Sequence, residues 1–135
     1  MNPEVGGSWL CPADTAYYID VMVKGLRGML RHLGMLEGEA KPVRQIRFGL
    51  EGRREVRPKH SGYLISNYAR PEDLGKLIAA GTKLGEVIDL YSYQVLEELT
   101  APTDGYLFFS RYPGVVGGGT QAFALAEAAA SSWVA

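Results

Sequence analysis

Few side chains in this 135-residue chain have the type and spacing that chemistry requires, and Glu4 is the first of them. It stands just before Gly6 and Gly7, whose missing side chains let a backbone pass close to a ligand. A carboxylate at such a place can act as a proton acceptor. Too few residues surround it in the sequence to build a site, however, so Glu4 taken alone is interpreted as a solvated terminal acid.

The other candidate metal ligands or nucleophiles are Cys11, His32 and His60, and they form no paired motif. A zinc site needs three or four ligands at suitable spacing, so a metal site made by this chain alone is not predicted. Cys11 has no nearby His to activate its thiol and is interpreted as a small buried hydrophobe. With one cysteine no intramolecular disulfide can form, which favours a reducing compartment.

The glycine-rich segment from Val116 to Thr120 has some features of a phosphate-binding loop. Gly114 and Gly119 have the required spacing, but Thr120 stands where such a loop needs Lys, and no helical pattern follows. This segment is therefore predicted to be a β turn. Serine hydrolase chemistry is not indicated either, because no Gly-x-Ser-x-Gly elbow occurs.

Basic side chains are concentrated between positions 43 and 70, where two glutamates, Glu51 and Glu55, oppose a larger basic set: Arg44, Arg47, Arg53, Arg54, Arg57, Lys59 and Arg70. Two interpretations stay open, a patch that binds an anionic ligand and a solvated strand face. The second is favoured, because the whole chain has 14 basic and 15 acidic residues and a net charge of −1. That balance predicts no nucleic-acid partner and no anionic membrane partner.

Composition indicates a soluble globular protein, with 47% apolar and 21% charged residues. No basic-then-apolar leader opens the chain, and no apolar run of about 18 residues could span a bilayer. We therefore expect a cytoplasmic location.

A helix is predicted from Asp14 or Thr15 to about Leu33, ended by Gly34. Its apolar face follows helical spacing through Tyr18, Met22, Leu26, Met29 and Leu33. An amphipathic helix packed on a sheet is expected, with His32 as a charge partner for the helix C-terminus. Gly25 and Gly28 each cost roughly 1 kcal/mol relative to Ala, which close packing against another backbone would explain.

The second half of the chain contains one short β unit written twice. The first copy reads Ser61-Gly62-Tyr63-Leu64-Ile65 and then Gly81-Thr82-Lys83-Leu84, and the second reads Asp104-Gly105-Tyr106-Leu107-Phe108 and then Gly119-Thr120-Gln121-Ala122. Two such units can bury their apolar faces against each other, so a small closed sandwich or barrel is predicted. Tyr63 and Ile65 are expected to face its core, with Leu84 and Val87 as further candidates.

Alternation around Ile46, Phe48 and Leu50 predicts a strand, with a returning strand over 53–59. Residues 73–80 are predicted to form a short helical turn. The Ala-rich tail over 126–135 is interpreted as a frayed end.

Several of these segments together resemble the succinylglutamate desuccinylase/aspartoacylase family. The resemblance rests on Glu4-Val5-Gly6-Gly7, on a helix ending Leu30-Arg31-His32-Leu33-Gly34-Met35-Leu36, and on the Ser61-Gly62 and Ala101-Pro102-Thr103-Asp104-Gly105 segments. It covers nearly the whole chain but only the C-terminal part of the family's usual length.

The resemblance implies an α+β, mostly β chain. The expected organisation is a remnant of a zinc hydrolase domain over 1–40, with the amphipathic helix, and a barrel-sandwich hybrid over 41–135. That second domain would be similar to biotinyl and lipoyl carrier domains. Such carriers display a modifiable Lys on the hairpin that joins the two halves, here near 90–94, but no Lys follows Lys83. A carrier function is therefore excluded.

The resemblance also implies zinc-dependent hydrolysis of a small N-acylated amino acid or related amide. Glu4 matches the family's general base, and the family's zinc ligands, a His-x-x-Glu pair and a later His, lie upstream of that segment. This chain contains none of them, so no zinc is expected to bind to it and no catalysis is expected from it alone. An exposed helix face would predict a homo-oligomer.

Two functions thus remain. The favoured one is the C-terminal portion of a zinc deacylase, with catalysis in the intact enzyme. The alternative is a standalone, non-catalytic β-sandwich module that binds a partner.

Overall fold

A computed structural model describes residues 12–41 and 45–134. The chain forms two compact units, one containing helix α1 (Pro12–His32) and the other spanning Ile46–Val134. Helix α1 ends where the sequence predicts, because Gly34 adopts φ +70° and the Met35 N–H donates to Leu30 O at 2.9 Å. Among the described residues, no helix combines the length and apolar character needed to cross a membrane.

The apolar side chains of α1 remain largely exposed. Leu26 is 43% exposed, Met29 51% and Leu33 62%. No described atom lies within 4 Å of the position that a Cβ would take on Gly25 or Gly28. The amphipathic helix is therefore present, and among the described residues most of its apolar face is exposed.

Ten strands form the second unit: β1 (Gln45–Phe48), β2 (Arg53–Val56), β3 (Gly62–Ser66), β4 (Leu77–Ile78), β5 (Lys83–Ile88), β6 (Val95–Thr100), β7 (Gly105–Ser110), β8 (Gly114–Val116), β9 (Phe123–Glu127) and β10 (Ser131–Val134). Short 3-10 turns occur at Leu50–Gly52, Pro71–Asp73 and Ala128–Ala130. The described chain is thus α+β and mostly β, as the sequence predicts.

Two four-stranded antiparallel sheets carry the repeat, in the orders β2-β9-β7-β4 and β6-β5-β3-β8. Each copy of the repeat contributes two strands to each sheet: the first copy provides β2 to β5 and the second provides β6 to β9. Strands β2, β3, β4 and β5 of the first copy correspond to β6, β7, β8 and β9 of the second. When each strand is replaced by its counterpart, the strand order of one sheet becomes that of the other. The interlocking predicted from the repeated sequence is therefore the actual topology.

A single core joins the two sheets. The largest fully buried side chains in it come from both copies, and two of them, Leu64 and Leu107, lie at matching positions. Around them pack the other core residues: Ile78, Leu84, Val87, Leu99, Ala101, Val116, Ala122, Phe123 and Leu125. The sandwich is thus held by the apolar face that each copy could not bury alone.

The prediction that Tyr63 and Ile65 face the core is wrong. Leu64 is fully buried, whereas Tyr63 is half-buried and Ile65 is 38% exposed. Successive side chains of a strand point to opposite faces, so a strand with Gly62 and Leu64 inward has Tyr63 and Ile65 outward. Only glycine fits at the buried position 62, because a Cβ there would lie 2.4 Å from Ile88 O and 2.7 Å from Val87 Cγ1.

The closed-barrel alternative is also wrong for the described residues. The two sheets keep separate strand orders, with β2, β4, β6 and β8 at their edges. Because neither sheet closes on itself or on the other, the architecture is an open sandwich.

The described part of the tail, 126–134, is ordered rather than frayed. Strand β10 pairs with β1 in a separate two-stranded sheet. The rings of Phe48 and Phe108 lie 4.9 Å apart, and those of Tyr106 and Trp133 lie 5.3 Å apart. Two further predictions fail here: β2 pairs with β9 instead of returning along β1, and residues 77–78 form β4 instead of a helical turn.

Candidate functional site

The residues with the strongest chemical interpretation from sequence lie outside the described part of the chain. Glu4, Gly6, Gly7 and Cys11 fall within residues 1–11, and Arg44 falls within 42–44. Their roles remain predictions.

The two histidines are described, and they are not brought together with further ligands. His32 ends α1, and His60 Nδ1 lies 3.4 Å from Glu97 Oε2. Within residues 12–41 and 45–134, no three His, Cys, Asp or Glu side chains gather as metal ligands would. A zinc ion therefore has no ligand set among the described residues.

The repeated Ser61-Gly62 and Asp104-Gly105 pairs close two equivalent turns. Ser61 Oγ accepts the Gly118 N–H at 3.0 Å, and Asp104 Oδ1 accepts the Ala80 N–H at 2.7 Å. Gly118 and Ala80 each come just before the Gly-Thr of their own copy. The motifs that resemble the family thus have a structural role here, which is to hold the turn of one copy against the other.

The carboxylate of Glu97 holds the turn at Lys59 and His60 by hydrogen bonds. Its Oε2 accepts the N–H groups of Lys59 at 2.7 Å and His60 at 3.3 Å, besides the His60 ring. Burial raises the pKa of Glu97, but the hydrogen bonds from Lys59 and His60 outweigh it and hold this pKa below its ordinary 4.5. The charged form is therefore the one that holds the turn.

We expect Glu97→Gln to lower the free energy of unfolding by about 1 kcal/mol at pH 7, because two backbone N–H groups lose a charged acceptor. The folded-state pKa is lowered, so the stabilisation exists above the unfolded pKa near 4.5 and disappears as pH falls through the folded pKa. Urea denaturation between about pH 7 and pH 3 should show a shallower acid loss in the variant than in wild type.

Glu98→Gln is the matched control, since this neighbouring carboxylate is 59% exposed and pairs with Lys83. It should leave the acid dependence close to wild type. Equal acid profiles for wild type and Glu97→Gln would contradict the assigned role.

The arginines of β2 and its extension are paired with carboxylates. Glu55 accepts Arg53 at 2.7 Å and Arg57 at 2.6 Å. The hydrogen bond from Arg57 is the main cause that holds the pKa of Glu55 below its ordinary value. Arg54 pairs with Glu127. These pairs favour the solvated strand face over an anion patch, although two arginines share one carboxylate on the outer face of β2.

The hairpin over 89–94 joins the two copies where the sequence placed it, between β5 and β6. Asp89 Oδ1 accepts the N–H groups of Tyr91 at 2.9 Å and Ser92 at 2.7 Å. The hairpin carries no Lys, so it offers no amine for a biotinyl or lipoyl group.

Sequence reasoning did not identify Glu97 or Glu127, since neither lies in a motif. The repeat contained a usable signal: Glu97 and Arg54 both stand eight positions before the glycine of their Gly-Tyr-Leu strand. Equivalent positions in interlocked copies lie at equivalent edges. Position 97 could therefore have been marked as a side chain that holds a turn of the other copy.

The fold is similar to several solved structures. A succinylglutamate desuccinylase/aspartoacylase family protein from Shewanella amazonensis matches with TM-score 0.62 at 18% identity, over 93% of this chain and 33% of that one. The succinylglutamate desuccinylase/aspartoacylase from Rhodobacter sphaeroides matches with TM-score 0.65 at 19% identity, over 83% and 35%. The product-bound ectoine utilization protein EutE (DoeB) from Ruegeria pomeroyi matches with TM-score 0.63 at 24% identity, over 85% and 33%.

No protein-family model matches the chain, and no curated relative does. The chain spans about a third of the length of the solved proteins it matches. At these identities the likeness concerns the fold, and at that level the resemblance inferred from sequence is confirmed. The described chain has a fold that occurs in proteins of the succinylglutamate desuccinylase/aspartoacylase family.

Proposed function

We propose that this chain is the C-terminal portion of a zinc-dependent deacylase that hydrolyses a small N-acylated amino acid or a related amide. The observation that carries this proposal is the extent of the fold match. It covers 93% of this chain, so it extends into both the α1 unit and the β unit, yet it covers only 33% of the longer protein.

The exposed face of α1 supports this proposal. Leu26, Met29 and Leu33 are exposed, and no described atom beyond the helix's own nearby backbone lies within 4 Å of the Cβ position of Gly25 or Gly28. A large uncovered apolar face on a monomer commonly marks a contact surface. In the intact enzyme, the preceding part of the hydrolase domain would cover it.

In the proposed enzyme, Glu4 would be the general base that accepts a proton from water and returns it to the leaving amine. The described residues do not fit zinc, because no three potential ligands gather among them. The zinc ligands would therefore belong to the preceding part of the enzyme. The β unit would shape access of the substrate or contacts between subunits.

The β unit of the proposed enzyme would be similar in architecture to biotinyl and lipoyl carrier domains. Its support is the two-fold internal repeat with a hairpin between the copies. Without a Lys on that hairpin, the shared features concern architecture alone.

A standalone, non-catalytic binding module is the alternative. It is favoured by one observation: the unit spanning Ile46–Val134 closes its own core, with Leu64, Leu107 and Phe123 fully buried. A unit with its own core can fold and bind without a hydrolase domain.

Intact mass and metal content, measured on the protein purified from its native source, separate the two. For the proposed deacylase we expect a mass well above 14.7 kDa, about one zinc per chain, and hydrolysis of N-acylated amino acids. A native mass of 14.7 kDa without zinc would overturn the proposal and favour the binding module. The 135-residue chain alone should be inactive in the same assay.

A further inference from the structure

The two copies of the repeat depend on each other for their strand pairing. Within the first copy β3 pairs with β5, and within the second β7 pairs with β9. In the described sheets, β2 and β4 neighbour only β9 and β7, while β6 and β8 neighbour only β5 and β3. Each copy therefore has two strands whose pairing partners belong to the other copy.

The core contact between the copies is asymmetric. Phe123 and Gly85 stand at equivalent positions, yet one is a fully buried ring and the other has no side chain. A Cβ on Gly85 would lie 3.1 Å from Phe123 Cζ. In a pair of two second copies each ring would meet another ring where it now meets a glycine, and a pair of two first copies would have no ring there. Only the unlike pair fills this part of the core.

The charges of the two copies are complementary. From Arg53 to Asp89 the first copy has seven basic and five acidic residues, and from Val95 to Glu127 the second has one basic and four acidic. Their net charges are therefore +2 and −3. Opposite net charge favours association of unlike copies and opposes association of like ones.

Two ion pairs between the copies run in the same direction, from a base of the first copy to an acid of the second. Arg54 pairs with Glu127, and Lys83 Nζ lies 2.6 Å from Glu98 Oε1. Arg54 and Glu97 stand at equivalent positions in the repeat. In a pair of two second copies, Glu97 would therefore take the place of Arg54 beside Glu127, and two carboxylates would face each other.

The hairpin over 89–94 joins the copies covalently, and its tip packs little against them. Tyr91 is 93% exposed and Tyr93 75%. The N–H groups of Tyr91 and Ser92 donate to Asp89 Oδ1, so these hydrogen bonds stay within the tip. The hairpin contributes proximity, since a short link raises the effective concentration of one copy for the other.

We propose that the two copies are complementary half-subunits that recognise each other without the covalent link. Strand pairing, the fit of Phe123 against Gly85 and opposite charge make the unlike pair the stable one. The partner that fits the first copy is thus the second copy, whether the two belong to one chain or to two. This pairing does not depend on deacylase activity.

Cutting the hairpin in the folded protein tests this pairing. A protease recognition sequence placed between Tyr91 and Ser92 leaves the full chain intact until the protease is added. After cleavage we expect the two pieces to elute together as one 1:1 species with the circular dichroism spectrum of the uncut chain. Refolding from urea should regenerate the same unlike pair, which native mass spectrometry distinguishes from homodimers because the pieces differ in mass.

Charge reversal in the cut protein tests the specificity. Arg54→Glu should raise the Kd of the two pieces at least about tenfold, because a carboxylate would then face Glu127. The double variant Arg54→Glu/Glu127→Arg restores opposite charges and should return the Kd to within about threefold of wild type. Uncut Arg54→Glu should keep a native spectrum, since the hairpin still holds the copies together.

Arg70→Glu is the matched control, because the Arg70 side chain is 78% exposed and pairs with Glu72 of its own copy. At about 0.15 M salt, where distant surface charges are screened, it should leave the Kd within about twofold of wild type. Pieces that separate on cleavage, or homodimers as abundant as the unlike pair after refolding, would overturn the proposal. So would a Kd that Arg54→Glu does not raise or that Glu127→Arg does not restore.

Discussion

Replacing Gly62 by Val is expected to lower the free energy of unfolding of the β unit by about 3 kcal/mol. A Cβ at this position would lie 2.4 Å from Ile88 O, an atom of the adjacent backbone that cannot move aside without disrupting the pairing of β3 with β5. Gly62 also opens the first copy of the repeat, so the strain falls on the strand that carries the buried Leu64.

Urea denaturation followed by circular dichroism measures this loss. Gly114→Ala is the matched control, because no atom lies within 4 Å of a Cβ at that glycine and its φ is not positive. It should change stability by no more than about 0.5 kcal/mol. Similar losses in both variants would show that the close approach of β3 and β5 does not limit this position.

Phe123→Ala is expected to cost about 4 kcal/mol, because a fully buried ring is lost from the shared core and leaves a cavity. Phe123 and Gly85 hold equivalent positions in the two copies, each four residues after the Gly-Thr glycine. A Cβ on Gly85 would lie 3.1 Å from Phe123 Cζ, so the glycine of one copy makes room for the ring of the other.

Phe108→Ala removes the same ring at a half-buried position on the outer face of β7, where it contacts Phe48. Its cost should be clearly smaller, at about 1–2 kcal/mol. Comparison of the two denaturation midpoints therefore isolates the contribution of the shared core. Equal losses would contradict the central place assigned to Phe123.

The glycines of α1 and Gly62 of β3 lie in opposite surroundings, and the two cases lead to different conclusions about their units. Among the described residues, Gly25 and Gly28 have no atom beyond the nearby helix backbone within 4 Å of their Cβ positions, and the adjoining apolar side chains are exposed. Gly62 is surrounded by its own domain. The first observation is consistent with a surface completed by a longer protein, which the deacylase proposal requires, while the second belongs to a unit that is complete by itself.

The repeat, the helix and their order along the chain were all predictable from the amino-acid sequence. The two Gly-Tyr-Leu copies predict interlocked units, and the Gly34 stop predicts the end of α1, because these features depend on local spacing and backbone freedom. It also indicated the family resemblance, which the fold match supports. The same repeat also predicted that the second half of the chain forms a β-sandwich or barrel.

The tertiary structure alone decided which face of each strand points inward and which strands pair. Tyr63 and Leu64 are both apolar enough to face a core, but the pairing of β3 with β5 leaves no room for a Cβ at Gly62, which lies on the same face as the buried Leu64. The pairing of β1 with β10, and the bond from Glu97 to the turn at Lys59, join residues far apart in sequence. Such contacts depend on how the two copies pack, and no local pattern encodes that.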